Sequence, residues 1–340
     1  MSLLTQADTI PWAESIRLEL LAGHMPPWRV EGRPERFRNT SGLTPRELDV
    51  LLTWVTGGTP VGNVDKSPRP VARTNVWALG DPDRVVQLPA VTLPASLRDE
   101  TREFTVRLDT HEASWLRAVD LMPGTPAIVR SATISVRTDV SDMPAGSVDH
   151  VLGLWQPGDD PVALERGLGF RLPVTAALKV RVHYKKNWRD RQRAMSDQSR
   201  IAIYFAPESS AEVTAITLRL ASTSDTGVNN PSAARHSFTQ IVDRDVRVLA
   251  IYPDPALPQA RIRVTAATPD GSRTELIALR ARPGWARRYW FTEPVDLSRG
   301  TVLEVTSQPD DTLLAPDAPR FPVASINPSS VSLTLDVTSR

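Results

Sequence analysis

Apolar residues recur at helical spacing near the N-terminus and at every second position further on. In "PWAESIRLELLAGH" (11–24), Ile16, Leu20 and Leu21 fall on one helical face, with Trp12 one turn before Ile16. "LTPRELDVLLTWVTGG" (43–58) predicts a second helix. Thr44 is placed to cap it, Pro45 suits the first helical position, Glu47 completes a capping box, and Gly57 and Gly58 end it. "NVDKSPRPVART" (63–74) is polar and proline-containing, as a linker is.

Beyond about residue 75 the period becomes two. "REFTVRL", "AIVRSATISVRT", "LKVRVHY", "RIAIYFA", "AITLRLAS", "DVRVLAIY", "ARIRVTAAT", "TELIALRA", "TVLEVTS" and "VSLTLDVT" all alternate. "TPDGSR" (268–273) predicts a hairpin turn around Asp-Gly. Short strands joined by proline-rich turns predict β-sandwiches, and an immunoglobulin-type sandwich takes only about 100 residues. The expected fold class is therefore mainly β: two tandem antiparallel β-sandwiches after a small α-helical segment. The expected domains are 1–72 (helical region and linker), 73–207 (first sandwich) and 208–340 (second sandwich), with the crossing near "FAPESSAE" (205–212).

Composition narrows the chemistry. The chain has no cysteine, which removes disulfides, iron–sulfur clusters, thiolate zinc sites, cysteine nucleophiles and covalent c-type haem. Forty basic residues against 39 acidic ones give a net charge of +1, so nothing points to nucleic acid as a partner. No apolar run approaches the roughly 20 residues of a membrane span. "MSLLTQADTI" lacks the basic and apolar regions of a signal peptide.

None of the five histidines (His24, His111, His150, His183, His236) pairs with another at i+2 or i+4, so no strand or helix presents a two-histidine face. H-E-x-x-H, G-x-S-x-G, P-loop and G-x-G-x-x-G motifs are absent. The run "KKNWRDRQR" (185–193) places Lys185, Lys186, Arg189, Arg191 and Arg193 around Trp188. It reads either as a solvated loop between strands or as a surface for anionic lipid headgroups or an acidic partner.

Collinear segments resemble a known family. They are "MPPW" (25–28), "LTPRELDVLLTWVTGGTPVGN" (43–63), "WALGDPDRVVQLP" (77–89), "WLRAVDLMPGTPAIVRSATI" (115–134), "KVRVHYKKNW" (179–188), "DVRVLAIYPDPA" (245–256) and "TPDGS" (268–272). Together the chain resembles the bacterial homologues of copper type II, ascorbate-dependent monooxygenases, the group of peptidylglycine and dopamine hydroxylases, in which a cytochrome-c-like domain often precedes two copper sandwiches. The resemblance implies a haem ligand at Met25, but the C-x-x-C-H motif has no counterpart, so Met25 is expected to pack rather than ligate. It implies a first copper site from an adjacent His-His pair and the histidine of an H-Y strand. His183 matches the latter, while the pair falls on Arg130, a permanent cation, and Ser131, a poor substitute for imidazole. It implies a second site from H-x-H and a methionine. These positions hold Asp254 and Ala256, and no methionine follows Met195.

The resemblance therefore leads to an expectation of lost metal sites: no cofactor, no catalytic residue, and His183 as the survivor of a former copper site. The expected role is a non-enzymatic structural or interaction subunit, extrinsic and periplasmic, bound to other protein subunits of a membrane electron-transfer complex. The whole-chain likeness extends this to a photosynthetic reaction-centre assembly. The basic run around Trp188 is the expected contact surface, anionic headgroups included. Two rivals stay open: a copper monooxygenase with non-standard ligands, and a carbohydrate- or peptide-binding β-sandwich module.

Overall fold

The computed structural model describes residues 6–22, 25, 30–38, 42–63, 77–108, 113–137, 149–174, 176–187, 190–206, 210–219, 236–254, 260–281, 286–309 and 331–340. A short N-terminal helical segment precedes a mainly β body of four sheets.

The segment contains α1 (Gln6–Thr9), a single 3-10 turn (Ile10–Trp12), α2 (Ala13–Leu21) and α3 (Pro45–Thr56). The capping box forms: the Glu47 N–H donates to Thr44 Oγ1 at 3.2 Å and the Thr44 N–H donates to the Glu47 carboxylate at 2.8 Å. The apolar face of α2 is narrower than its sequence implies. Leu20 is buried, but Leu21 is 59 % exposed. Leu21 lies about 100° around the helix from Leu20, off the buried side. No residue of α3 is buried.

Residues 30–38 run as a strap along the body. Val30 bridges to Leu279 and Phe37 to Phe291, each antiparallel. Phe37 is buried edge-on to Tyr289, with ring centroids 5.8 Å apart, and against Phe291 at 5.1 Å.

Ten strands form the first lobe: β1 (Arg84–Gln87), β2 (Val91–Leu93), β3 (Asp99–Arg107), β4 (Ser114–Met122), β5 (Val129–Arg137), β6 (His150–Trp155), β7 (Leu168–Leu172), β8 (Ala177–Lys185), β9 (Met195–Asp197) and β10 (Arg200–Ala206). Eight form the second: β11 (Ala211–Arg219), β12 (His236–Ile241), β13 (Val246–Pro253), β14 (Ala260–Ala267), β15 (Arg273–Ala281), β16 (Tyr289–Leu297), β17 (Val302–Pro309) and β18 (Ser332–Ser339). Two apolar cores form, and the first also takes in Val213, Leu249, Ala250 and Trp290 from the second lobe. The first centres on residues such as Leu116, Ile134, Val180 and Ile201, the second on Val248, Ile262, Leu303 and Leu335.

One sheet serves both lobes, in the order β1-β10-β4-β7-β11-β18-β13-β16. The other sheets are β3-β8-β5-β6 in the first lobe, β12-β17-β14-β15 in the second, and the small pair β2-β9. The splice in the shared sheet is the parallel pairing of β7 with β11, where Ala211 lies opposite Leu168 and Glu212 opposite Gly169. Gly169 is required there, because an added Cβ would come within 3.0 Å of Trp115 Cβ and 3.2 Å of Ser210 Cβ. The β14–β15 hairpin turns at Gly271, whose φ of 89° suits glycine, as "TPDGSR" predicts.

Candidate functional site

The positions singled out by the resemblance separate into groups. Ser131 on β5 lies directly across from His183 on β8, and Arg130 sits at the register shift beside them. His183 Nε2 is 2.7 Å from Asp99 Oδ1, and Lys185 Nζ is 3.0 Å from Asp99 Oδ2. Burial raises the Asp99 pKa, but the hydrogen bonds from His183 and Lys185 outweigh it and hold the carboxyl below the usual range. Burial lowers the Arg130 guanidinium pKa. His183 is thus held by a carboxylate that it shares with an ammonium.

The residues present do not fit the copper that the resemblance implies. Among the described residues no three His, Cys, Asp or Glu side chains group closely enough to hold a metal ion. His150 cannot join His183. Their partners on β5, Val136 and Ser131, are five residues apart in register, roughly 17 Å along a strand. His111 and Ala256 lie outside the described residues. Asp254 is half-buried, and its N–H donates to Ser332 O at 3.0 Å. Met25 is 39 % exposed, so the packing role expected for it is at most partial.

The basic run is also divided. Lys185, Arg191 and Arg193 are exposed, while Trp188 and Arg189 lie outside the described residues. Lys186 departs from the expected surface. It is 5 % exposed, and its Nζ donates to Pro94 O at 2.6 Å and Arg193 O at 2.7 Å. Two carbonyls satisfy the ammonium inside the fold, so Lys186 is not available to a partner.

A different constellation lies where the lobes meet. Arg287 and Arg288 precede β16 in the second lobe and reach into the first. Arg287 Nη2 is 2.9 Å from Asp159 Oδ1, in the loop after β6. Arg288 is 6 % exposed, donates to Leu152 O at 2.7 Å, and has its Nε 3.0 Å from Asp336 Oδ2 on β18. Its guanidinium carbon lies 4.7 Å from the Tyr252 ring centroid, 5.4 Å from Trp290 and 5.6 Å from Phe170. His150 Nε2 is 3.7 Å from Asp336 Oδ1, with its ring edge-on to Phe170. Gln156 Nε2 donates across the junction to Ala286 O at 3.0 Å.

Beside this lock is a cavity of about 50 Å³, opening to solvent and lined by Asp120, Trp155, Asp159, Asp160, Arg287 and Trp290 together with core residues of β4 to β6. Asp120 comes from β4, the central strand pairing both β10 and β7. It is 8 % exposed, and its Oδ1 accepts the Leu121 N–H at 2.7 Å. No ion pair reaches Asp120 among the described residues, and its Oδ2 has no hydrogen-bond partner there. Burial pushes its pKa up to about 6; the Leu121 N–H opposes this and the Asp160 charge adds to it. Burial also raises Asp159, with Arg287 pulling down and Asp160 pushing up.

Sequence reasoning missed this site because its residues carry no motif. Asp120 looks like an ordinary polar position, and Asp159, Asp160 and Arg287 lie in irregular segments between strands. The signal lies in burial, which only the fold supplies.

No known protein family matches the chain, and no curated protein does. Among solved structures the chain is similar to a protein assigned as an α-L-fucosidase from Bacteroides ovatus, at 13 % identity over 87 % of this chain and 43 % of that one, with a TM-score of 0.23. It is also similar to PNGase F, a glycosylasparaginase from Flavobacterium meningosepticum, at 9 % identity over 76 % and 96 % of the chains, with a TM-score of 0.31. Allantoicase from Saccharomyces cerevisiae matches at 10 % identity over 66 % and 74 %, with a TM-score of 0.21. At these TM-scores the likenesses transfer neither fold nor function to this chain.

Proposed function

We propose that the chain is a ligand-binding module of two tandem antiparallel β-sandwiches, which takes a peptide or carbohydrate at the cleft between its lobes. The observation that carries this reading is Asp120: a carboxyl buried without a counter-charge, lining a cavity that opens to solvent beside Trp155. Such a group costs stability where it stands, which marks a site kept for contact rather than for folding. Trp155 offers a half-buried ring for stacking, and Asp160 an exposed carboxylate for hydrogen bonding. The test is titration of the intact protein with short peptides and oligosaccharides, followed by tryptophan fluorescence and calorimetry. Binding that Trp155→Ala and Asp160→Asn weaken supports the proposal. Absence of saturable binding to either ligand class defeats it.

The docking-subunit reading keeps one observation in its favour. Ile10, Leu18, Leu21, Met25, Val50 and Val61 are all exposed large apolar residues, and all belong to the N-terminal segment. An extrinsic subunit of a periplasmic membrane complex would cover them. Co-purification after mild detergent extraction, with those positions protected from labelling in the complex, tests it. A free monomer in the extract counts against it.

A further inference from the structure

Charge at the cleft is unevenly consumed. Arg287 is matched by Asp159 and Arg288 by Asp336, each within 3.0 Å. Asp120 and Asp160 have no cationic partner among the described residues. The lining therefore carries two carboxyls without a counter-charge, one of them on a residue nine-tenths buried whose Oδ2 has no hydrogen-bond partner among the described residues. A site of this kind repels anions. A neutral ligand would leave the buried charge uncompensated.

A metal cation does not fit, since among the described residues no group of three ligating side chains stands close enough to coordinate one. The cavity of about 50 Å³ is close to the space of one or two water-sized groups, whose liquid share is about 30 Å³ each. That matches a compact organic cation better than a planar guanidinium. Trp155, half-buried, lines the same cavity and can pack against the methylenes behind the charge.

We propose that this cleft receives a primary ammonium group, presented by a lysine side chain or by the free N-terminus of a peptide, with Asp120 and Asp160 as its counter-charges. This deepens the peptide-binding reading of the same cleft and rests on it. The titratable groups that act on Asp120 are Asp160 from the loop after β6 and Tyr204 from the neighbouring β10, while Asp159, Arg287 and Arg288 share the cavity lining. Because Asp120 is driven towards its neutral form, with a pKa of about 6, an ammonium ligand must displace its proton. Binding should strengthen as pH rises through 6 and release a proton below it.

Calorimetric titration of the intact chain decides the matter. The probes are N-acetyl-lysine-methylamide, free triglycine, N-acetyl-triglycine, N-acetyl-arginine-methylamide and N-acetyl-glutamine-methylamide. An ammonium probe is expected to bind at least tenfold tighter at pH 7.5 than at pH 5, and Asp120→Asn to weaken it at least tenfold without lowering Tm. Lysine and triglycine separate side-chain from terminal recognition. If the glutamine or acetylated probe binds as tightly as the ammonium probes, the inference falls while the binding module stands. The same holds if the arginine probe outbinds them. If no probe binds and oligosaccharides do not either, both readings fall.

Discussion

Arg287 of the second lobe sits 2.9 Å from Asp159 of the first, and both are largely buried. The pair crosses the junction between two separate cores, so it links cohesion of the lobes to the state of the cleft it borders. Arg287→Ala would leave Asp159 desolvated with Asp160 beside it. The expected cost is about 2–3 kcal/mol, somewhat below that of breaking a fully buried pair. Urea unfolding followed by tryptophan fluorescence measures it. A loss under about 0.5 kcal/mol would show that the junction does not depend on this contact.

Asp120 gives a pH signature. Its pKa in the fold, about 6, lies above the ordinary 3.8. The folded state therefore holds the proton more tightly, and the associated stability is fully present below pH 3.8 and lost as pH rises through 6. Each tenfold tightening of proton binding corresponds to about 1.4 kcal/mol, so the full cost of ionisation in the fold is about 3 kcal/mol. Asp120→Asn should be more stable than the native chain at pH 7.5, by about 1–3 kcal/mol, with the difference shrinking towards pH 4. Denaturation midpoints across that range test the sign.

Arg288 carries the opposite expectation. Its removal leaves Asp336, fully buried, without its cation and empties the space among Tyr252, Trp290 and Phe170. Arg288→Ala should cost about 3–5 kcal/mol. Arg288→Lys should recover only part of that, because an ammonium cannot reproduce the planar fork that meets Asp336 and the Leu152 carbonyl together. Guanidinium unfolding of the two variants gives the comparison.

The strap is testable through Phe37. Phe37→Ala removes a buried ring packed on Tyr289 and Phe291, at about 3 kcal/mol. Limited proteolysis should then cut residues 30–38 faster, while Thr44→Ala, which loses only a helix cap worth about 1 kcal/mol, should leave that cleavage rate unchanged.

The ten alternating runs all fall on strands over their described residues; in β3, β8 and β14 burial alternates with the residues, while in β10, β13, β15 and β18 successive residues are buried on both faces although the sequence alternates. Among the other strands, some are only three to five residues long, such as β2, β7 and β9. β4 is covered on both sides: Ala118, Val119, Asp120 and Leu121 are all buried in succession, so period two disappears along the strand that carries the candidate site's central residue. The capping box at Thr44 was legible since it is local. The meeting of Asp120, Asp159 and Arg287 was not, because it depends on how far-apart segments are brought across the lobe boundary. His183 drew attention as the best-placed histidine, yet what it holds is Asp99, a neighbour on the adjoining strand.

The β7–β11 splice, tightened by Gly169, has a kinetic consequence. Two lobes that share hydrogen-bonded strands resist swinging apart like jaws, because the two paired positions of the splice would have to break first. Whatever enters between them then meets a stiff slot. Selectivity then comes from size and charge in a single encounter, and association should follow one exponential phase with no slow isomerisation behind it.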